Sequence, residues 1–209
     1  MEAPVSPLIS VVLPVYKAER YIERCLRSIG SQTMKDVEYI FVDDASPDQS
    51  TSAIEDYFKD SPLNGSVFHI ISNDTNSGVG YARQKGLDHA QGKYVIQVDP
   101  DDWLEPDYLE KLYLAAEAAG ADITFCDIFI EYSDRQVLSR QCPALSDPDS
   151  VISQLCHGGI LGSCWNKLVR RSAIGKTGAH FIPGVNVCED ILFFLQMLRH
   201  NPVVASVHE

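Results

Sequence analysis

The stretch GKYVIQVDPDD, residues 92–102, decides the fold class of this chain. Its first six residues are typical of a short buried β-strand, and three carboxylates, Asp99, Asp101 and Asp102, follow directly after it. In open α/β sheets, ligands bind at the carboxyl ends of the strands. Crowded carboxylates repel one another, and a divalent cation removes that conflict. Because all the ligand atoms are oxygens, we expect Mg²⁺ or Mn²⁺, and a cation held there can hold a phosphate.

Strands and helices alternate over the first 130 residues. The predicted strands cover residues 8–14, 37–43, 67–71, 94–98 and 122–130. The predicted helices cover residues 19–32, 78–90 and 106–120, with one more beginning between residues 46 and 48. This alternation predicts an α/β fold with a mostly parallel central sheet, right-handed crossovers and flanking helices.

The pattern is less regular after residue 130. We expect strand and loop over residues 131–148, a short helix over 149–157, strand and turn over 164–174, and a buried helix over 188–200. This second half is interpreted as a smaller lobe on the same sheet. The chain stops directly after the apolar run 203–207, so we expect a further C-terminal segment to be missing.

Composition and charge narrow the class of protein. The 209 residues suffice for one large domain, and the formal net charge of −12 excludes a nucleic-acid-binding surface, which needs a basic face. Six cysteines without a CxxC pair indicate buried free thiols in a reducing compartment. The N-terminus resembles no signal peptide, and no apolar run approaches the ~20 residues of a membrane span. We therefore expect a cytoplasmic protein.

Three further strand ends carry residues that are candidates for ligand binding. After the first strand, Pro14 is expected to end strand pairing, and Tyr16 either stacks on a base or packs at the strand end. After the second, one of Asp43 and Asp44 is expected to bind an imide N–H or a ribose and the other to cap the turn. The alternative is N-capping of the next helix by Ser46 or Asp48.

The third is NSGVGYAR, residues 76–83. Gly78 lets the backbone approach a phosphate at a helix N-terminus, and Arg83, one turn later, reaches the same anion. A simple tight turn is the alternative. For the acidic residues after the fourth strand, the alternative is a solvated turn, whereas an EF-hand is excluded because its sixth position is Leu104 rather than Gly. Taken together, the four strand ends have the layout of a nucleotide diphosphate site.

Five motifs in this order resemble the family 2, GT-A fold glycosyltransferases. They are SVVLPVY (residues 10–16), VDDAS (42–46), NSG with AR (76–78 and 82–83), DPDD (99–102) and ED (189–190). The resemblance implies a nucleotide-sugar-binding half over residues 1–130 and an acceptor-side half of the same domain over residues 131–209. It implies metal-assisted, inverting transfer of a sugar from a nucleotide diphosphate, with UDP favoured, to a glycan or lipid-linked acceptor.

The resemblance also implies a role for each matching residue. Pro14 and Tyr16 line the base pocket, and Val15 between them also belongs to the nucleotide-binding residues. Asp44 accepts from the uracil imide, and Gly78 and Arg83 lie by the diphosphate. Asp99 contacts the ribose, and Pro100 is a further nucleotide-binding residue. Asp101, with Asp99, ligates the cation, and Asp102 touches the donor sugar or supports the turn. A late histidine ligates the cation in some GT-A enzymes, which makes His208 a candidate.

On the acceptor side, the resemblance makes Asp190 the general base, with Glu189 as the alternative; both can also simply cap the helix. Trp165 stacks on a sugar or fills a gap between lobes, and Lys167 neutralises a phosphate or is solvated.

Two other functions compete with this interpretation. A sugar nucleotidyltransferase usually has a glycine-rich loop after the first strand, and residues 14–18 contain no glycine. An inactive nucleotide-binding module is the non-enzymatic alternative. A processive synthase is not expected, because the segment 196–200 lacks the tryptophan of its Gln-x-x-Arg-Trp motif. A lipid-linked acceptor is compatible with peripheral association at the inner face of the cell membrane.

Overall fold

The computed structural model describes residues 6–60, 66–144 and 146–208. Its strands are β1 (Ile9–Val15), β2 (Val37–Asp43), β3 (Val67–Ser72), β4 (Tyr94–Gln97), β5 (Ile123–Cys126), β6 (Ile128–Glu131), β7 (Gln136–Ser139), β8 (Lys167–Arg170) and β9 (Val204–Val207). Its helices are α1 (Ile22–Gly30), α2 (Ser50–Asp60), α3 (Val79–His89), α4 (Tyr108–Ala119), α5 (Pro148–Cys156), α6 (Arg171–Thr177) and α7 (Glu189–Leu198).

Seven strands form one sheet in the order β3-β2-β1-β4-β8-β5-β9, and β6 and β7 form a separate antiparallel pair. The predicted α/β fold with a mostly parallel sheet is confirmed. Strands β8 and β9 of the second half lie in the same sheet as β1 to β5.

Strand β8 is the exception to the parallel order. Strict alternation places β5 beside β4, but β8 lies between them and pairs antiparallel with both. The chain enters β8 from the edge where the parallel strands end, since an antiparallel strand begins where its neighbours stop. The segment before Lys167 therefore reaches the edge at which ligands are expected.

Two predicted strand boundaries are wrong. The strand predicted over residues 122–130 breaks at Asp127, where buried β5 ends and the more exposed β6 leaves the main sheet. Pro14 does not end strand pairing, because it pairs with Val42 and β1 continues to Val15. Pro14 has the same orientation in β1 as Val12, whose carbonyl accepts from Val98 on the β4 side. Pairing with β4 has stopped at Val12, so the missing N–H of Pro14 costs no ladder hydrogen bond.

Apolar side chains fill both faces of the sheet. One layer packs α1, α2 and α4 against residues such as Val11 and Leu13 of β1. The other packs α3, α5, α6 and α7 against residues such as Val12 and Phe125. Alternate residues of β1 thus serve opposite layers, as the period of two in a strand requires. Helix α6 occupies part of the segment that was predicted as strand and turn.

Cysteine burial agrees with the sequence only in part. Cys25, Cys126 and Cys164 are buried free thiols, Cys142 is half-buried, and Cys156 and Cys188 are exposed. In the described ranges, no helix is both long and apolar enough to cross a membrane.

Candidate active site

The residues after β4 form a tight turn, residues 99–102, called the acidic turn below. The N–H of Asp102 donates to the carbonyl of Asp99 at 3.1 Å, which closes the turn. Carboxylate oxygens of Asp99, Asp101 and Asp102 lie within 4.8 Å of one another. Burial, Asp99 and Asp101 raise the pKa of Asp102 to about 6. The ligand atoms of these three carboxylates are all oxygens, and the carboxylates repel one another. Such a group fits a hard cation such as Mg²⁺ or Mn²⁺.

Arg83 connects the acidic turn to the first turn of α7. It projects from α3, is 4% exposed, and its Nη2 donates to Asp99 Oδ1 at 3.0 Å. Its Nη1 donates to Glu189 Oε1 at 2.5 Å and to Asp190 Oδ1.

The charge of Arg83 is retained although the side chain is buried. Burial lowers the pKa of Arg83. The neighbouring acidic groups of Cys164, Asp99 and Asp190 raise it by more than burial lowers it, so the pKa of Arg83 lies above its ordinary value. Its buried Nε has no hydrogen-bond partner among the described residues. Arg83 is therefore a charged guanidinium whose Nε donor is unused, and it lies beside a carboxylate cluster that fits a cation.

The two acidic residues of α7 are held differently. Asp190 Oδ2 accepts from the backbone N–H of Cys164 at 3.0 Å, while Glu189 is 8% exposed and bonded to Arg83. Burial raises the pKa of Asp190, Arg83 lowers it, Glu189 raises it again, and the net direction is upward. A carboxylate with a raised pKa is a stronger base, so the environment of Asp190 suits proton transfer.

Asp44 closes the turn before α3. It is 3% exposed, and it accepts from Asn73 Nδ2 at 2.7 Å and from the N–H groups of Ser77 at 2.9 Å and Gly78 at 2.8 Å. The Gly78 N–H, expected to be free for a phosphate, is therefore already taken. Asp44 therefore holds the turn before α3, whereas Asp43 has the turn-capping role expected of one member of the pair, because its Oδ1 accepts from the N–H of Ser46 at 2.9 Å.

Two glycines at the start of α3 allow another part of the chain to approach. Gly78 has φ +91°, and a Cβ there would lie 2.2 Å from Asn186 Oδ1; a Cβ at Gly80 would lie 2.7 Å from the carbonyl of Val185. Residues 185 and 186 thus pack directly on the N-terminus of α3. The sequence predicts a close approach at this turn, but the groups that approach in this structure are the side chain of Asn186 and the backbone of Val185 rather than a phosphate.

The three nucleotide-binding candidates at the end of β1 differ in accessibility. Val15 is 0% exposed and Pro14 is buried, whereas Tyr16 is 43% exposed at the end of β1. Only Tyr16 therefore offers a side-chain surface to a ligand. Pro100 is half-buried within the acidic turn.

Comparison with known proteins identifies the family. The family model described as "Glycosyl transferase family 2" matches residues 10–178, which include the four motifs of the first half, the acidic turn among them. The chain belongs to glycosyl transferase family 2. The family predicted from the motifs is thereby confirmed.

Two relatives agree with this assignment. EpsH of Bacillus subtilis (strain 168) is 35% identical over 81% of this chain and 48% of its own length. The uncharacterized glycosyltransferase EpsJ of the same strain is 31% identical over 97% of this chain and 59% of its own length. This family 2 chain therefore spans about half the length of these relatives.

The solved structures confirm the GT-A fold. S. aureus TarS in complex with UDP matches with a TM-score of 0.79 and 22% identity, covering 95% of this chain and 57% of TarS 1-349. Mannosyltransferase PcManGT from Pyrobaculum calidifontis, in complex with GDP-Man and Mn²⁺, matches with a TM-score of 0.69 and 18% identity, covering 99% of this chain and 56% of its own.

Lys167 is not on the surface of the site in this family 2 chain. It is 1% exposed, and its Nζ donates to the carbonyls of Leu161 at 2.9 Å and Ser163 at 2.6 Å and to Asn166 Oδ1 at 2.6 Å. Burial lowers its pKa to about 8. With its three donors occupied, Lys167 holds the segment 161–166 in place, which corrects the prediction that it contacts a phosphate or is solvated.

Trp165 lies in the wall of a groove next to the acidic turn. The groove has a volume of about 1110 Å³ and is lined by Asp102, Trp103, Phe129 and Trp165 among others. The carbonyl of Trp165 accepts from the hydroxyl of Tyr108 at 2.5 Å, which fixes the segment between the lobes.

His208 lies away from the position that the family pattern suggests. Its Nδ1 is 3.7 Å from Asp127 Oδ2, and its neighbours in a cluster of ligand-type side chains are Asp127 and Cys142 rather than the acidic turn. Sequence reasoning also missed Cys164, whose N–H holds Asp190, and Asn73, which holds Asp44. Both lie in irregular segments, where periodicity gives no signal.

Proposed function

We propose that this chain is the catalytic domain of an inverting glycosyltransferase. It moves a sugar from a nucleotide diphosphate, with UDP favoured, to a hydroxyl of a glycan or lipid-linked acceptor. One observation carries the proposal: Arg83 joins the acidic turn to α7 through hydrogen bonds to Asp99, Glu189 and Asp190. These hydrogen bonds thus connect three parts of the site: the acidic turn for the cation, the guanidinium of Arg83 for the phosphate, and the carboxylate of Asp190 as the base.

The donor side follows from the groups around the acidic turn. Asp101 and Asp99 would hold Mg²⁺ or Mn²⁺, which when bound supplies positive charge opposite the leaving diphosphate. Arg83 binds a diphosphate oxygen with its planar fork, and Tyr16 stacks on the base. A carboxylate has about four acceptor sites, so Asp44, with three donors, keeps one for an imide N–H. The UDP complex of TarS and the GDP-Man and Mn²⁺ complex of the mannosyltransferase support this class of donor.

The chemical step is assigned to Asp190. Its carboxylate takes the proton of the acceptor hydroxyl as that oxygen attacks the sugar C1, and the nucleotide diphosphate leaves from the opposite face. Glu189 bonds to Arg83 at 2.5 Å and is less exposed than Asp190, so it is assigned to positioning Arg83. When the diphosphate engages Arg83, the ion pair with Asp190 loosens and the base becomes available.

The acceptor side is assigned to the groove beside Asp102. Its lining is mostly apolar and includes the aromatic rings of Trp103, Phe129 and Trp165. Aromatic rings stack on the apolar faces of sugars, and an apolar groove also accepts the first part of a lipid carrier. A lipid-linked acceptor would bring the protein to the inner face of the cell membrane as a peripheral protein, and flotation with vesicles tests that location.

A donor screen tests the proposed function. Purified protein is incubated with Mn²⁺ and UDP-, GDP- or dTDP-sugars, and release of the nucleotide diphosphate is measured. We expect turnover with one nucleotide class.

Asp190→Asn is expected to lower kcat at least about 100-fold, the size of a typical general-base contribution, without weakening nucleotide binding in calorimetry. Asp101→Asn is expected to remove the Mn²⁺ dependence of that binding.

The control is Asp88→Asn, an exposed carboxylate of α3 that is expected to leave both readouts unchanged. Binding of a donor without turnover under every condition would identify an inactive nucleotide-binding module instead. Full activity of Asp190→Asn would show that another group is the base.

A further inference from the structure

Three ligand-type side chains from separate parts of the chain meet beyond β5. Asp127 follows β5, Cys142 lies after β7, and His208 follows β9. In the sheet, β5 and β9 are parallel neighbours with Cys126 opposite Val207, so the next residues, Asp127 and His208, emerge side by side. One ligand atom of each residue, an oxygen, a sulfur and a ring nitrogen, lies within 4.8 Å of the other two.

The carboxylate of Asp127 is already fixed in the orientation that a metal ligand needs. Its side chain is 0% exposed, and its Oδ1 accepts from the N–H groups of Gln141 at 2.6 Å and Cys142 at 3.0 Å. Its Oδ2 faces His208 and accepts from Arg140 at 2.7 Å. The side chain of Arg140 is 65% exposed, so it can turn into solvent and leave Oδ2 to a cation.

We propose that Asp127, Cys142 and His208 bind one transition-metal ion of the zinc class. Sulfur, imidazole and carboxylate ligands together select Zn²⁺ or Co²⁺, whereas the all-oxygen acidic turn selects Mg²⁺ or Mn²⁺. The site is therefore separate from the donor site in both place and chemistry, and it does not depend on the proposed function.

Binding requires small, local changes. In a tetrahedral site with bonds of 2.0–2.3 Å, ligand atoms lie about 3.3–3.8 Å apart, so the side chains must draw together by about an ångström. The side chain of His208 is 61% exposed and free to rotate. The thiol of Cys142 gives its proton to solvent and exchanges its hydrogen bond to the Val207 carbonyl, now 3.1 Å, for the metal bond.

Metal binding would connect three separate parts of the chain. A bound ion ties the end of β9 to the end of β5 and to the segment that contains Cys142. The two negative ligands balance a divalent charge, which suits a buried carboxylate in a protein of net charge −12.

Cobalt provides the test on the full chain. Chelator-treated protein is titrated with Co²⁺, and the thiolate-to-cobalt charge-transfer band in the near ultraviolet is measured; cobalt on the acidic turn gives no such band. We expect a band that saturates at one equivalent and that Zn²⁺ abolishes. Cys142→Ser should lose the band, and His208→Ala should weaken binding at least tenfold. The matched controls Cys156→Ser and His200→Ala, exposed residues elsewhere, should keep it.

Alkylation of the wild-type chain keeps the proposal testable if a variant does not fold. Iodoacetamide labelling of Cys142, mapped by mass spectrometry, is expected to slow at least tenfold when Zn²⁺ is present. The proposal is overturned if Co²⁺ produces no thiolate band, if the band persists in folded Cys142→Ser, or if Zn²⁺ leaves the labelling of Cys142 unchanged.

Discussion

Arg83 is the residue on which the candidate site depends. Its guanidinium is nearly inaccessible to solvent, yet it faces Asp99, Glu189 and Asp190. A buried charge is tolerated only when it is paired, and each of these carboxylates is itself less than one-third exposed. The same ion-pair network that prepares the site for an anion therefore also stabilises the packing of α3 against α7.

Arg83→Met is expected to destabilise the fold as well as the site. Methionine matches the volume of the side chain but leaves the buried carboxylates unpaired, so the free energy of unfolding should fall by about 3–5 kcal/mol. Urea unfolding at pH 7 measures the difference. Arg27→Met is the matched control, because the Arg27–Glu23 pair is 73% and 72% exposed and should contribute less than about 1 kcal/mol. Equal losses in the two variants would contradict the structural role of Arg83.

Asp102 should make cation binding depend on pH. Its pKa of about 6 is raised from 3.8 by burial, Asp99 and Asp101, so below pH 6 a proton competes with the cation. If Asp102 must ionise for binding, the apparent Kd for Mn²⁺ should rise about tenfold between pH 7 and pH 5. Calorimetry across that range measures it, and Asp102→Asn should flatten the profile. A wild-type Kd that stays constant from pH 7 to pH 5 would argue against coupling to Asp102.

At the scale of elements, helix α3 and the segment before α7 interlock. Gly78 and Gly80 remove the two side chains that would keep residues 185 and 186 away. The contact sets the direction in which the chain enters α7, and with it the position of the first-turn carboxylates. The N-terminus of α3 therefore helps to position the proposed base from the opposite side of the site.

Gly80→Ala tests this interlock. A methyl group would lie 2.7 Å from the carbonyl of Val185, a backbone atom that cannot move alone, so we expect a loss of about 1–3 kcal/mol in unfolding free energy. Gly175→Ala in α6 is the control: nothing lies within 4 Å of its Cβ, and it should stabilise by about 0.5–1 kcal/mol. Denaturant unfolding compares the two, and a stabilising Gly80→Ala would show that the segment is not packed as described.

At the scale of the whole molecule, one antiparallel strand brings the two halves together. Strand β8 pairs with β4 and β5, and the segment before it brings Cys164 and Trp165 to the carboxyl edge of the parallel strands. Lys167, buried beneath, satisfies three oxygens of that segment. The acidic turn from the first half and the carboxylates of α7 from the second therefore meet across the same edge of one sheet.

The sequence by itself determined the fold class, the family and the acidic turn. These depend on local signals: apolar strands in alternation with helices, carboxylates directly after a strand, and motifs in a fixed order. Tyr16, Arg83, Asp99 and Asp190 were named from such signals alone. Their chemical roles remain proposals, since those depend on ligands that the pattern does not specify.

Only the tertiary structure decided which groups are accessible and which are already bonded. Several features depend on contacts between residues far apart in the chain. They are the insertion of β8, the break at Asp127, the burial of Lys167, the hydrogen bonds of Asp44 to the turn before α3 and the cluster around His208. Hydrophobic periodicity records which face of an element is buried, but it does not record which distant donor satisfies a given carboxylate. The order of the strands and the positions of the loops at the edge of the sheet decide which donor pairs with which carboxylate. Neighbouring residues in the sequence do not carry that information.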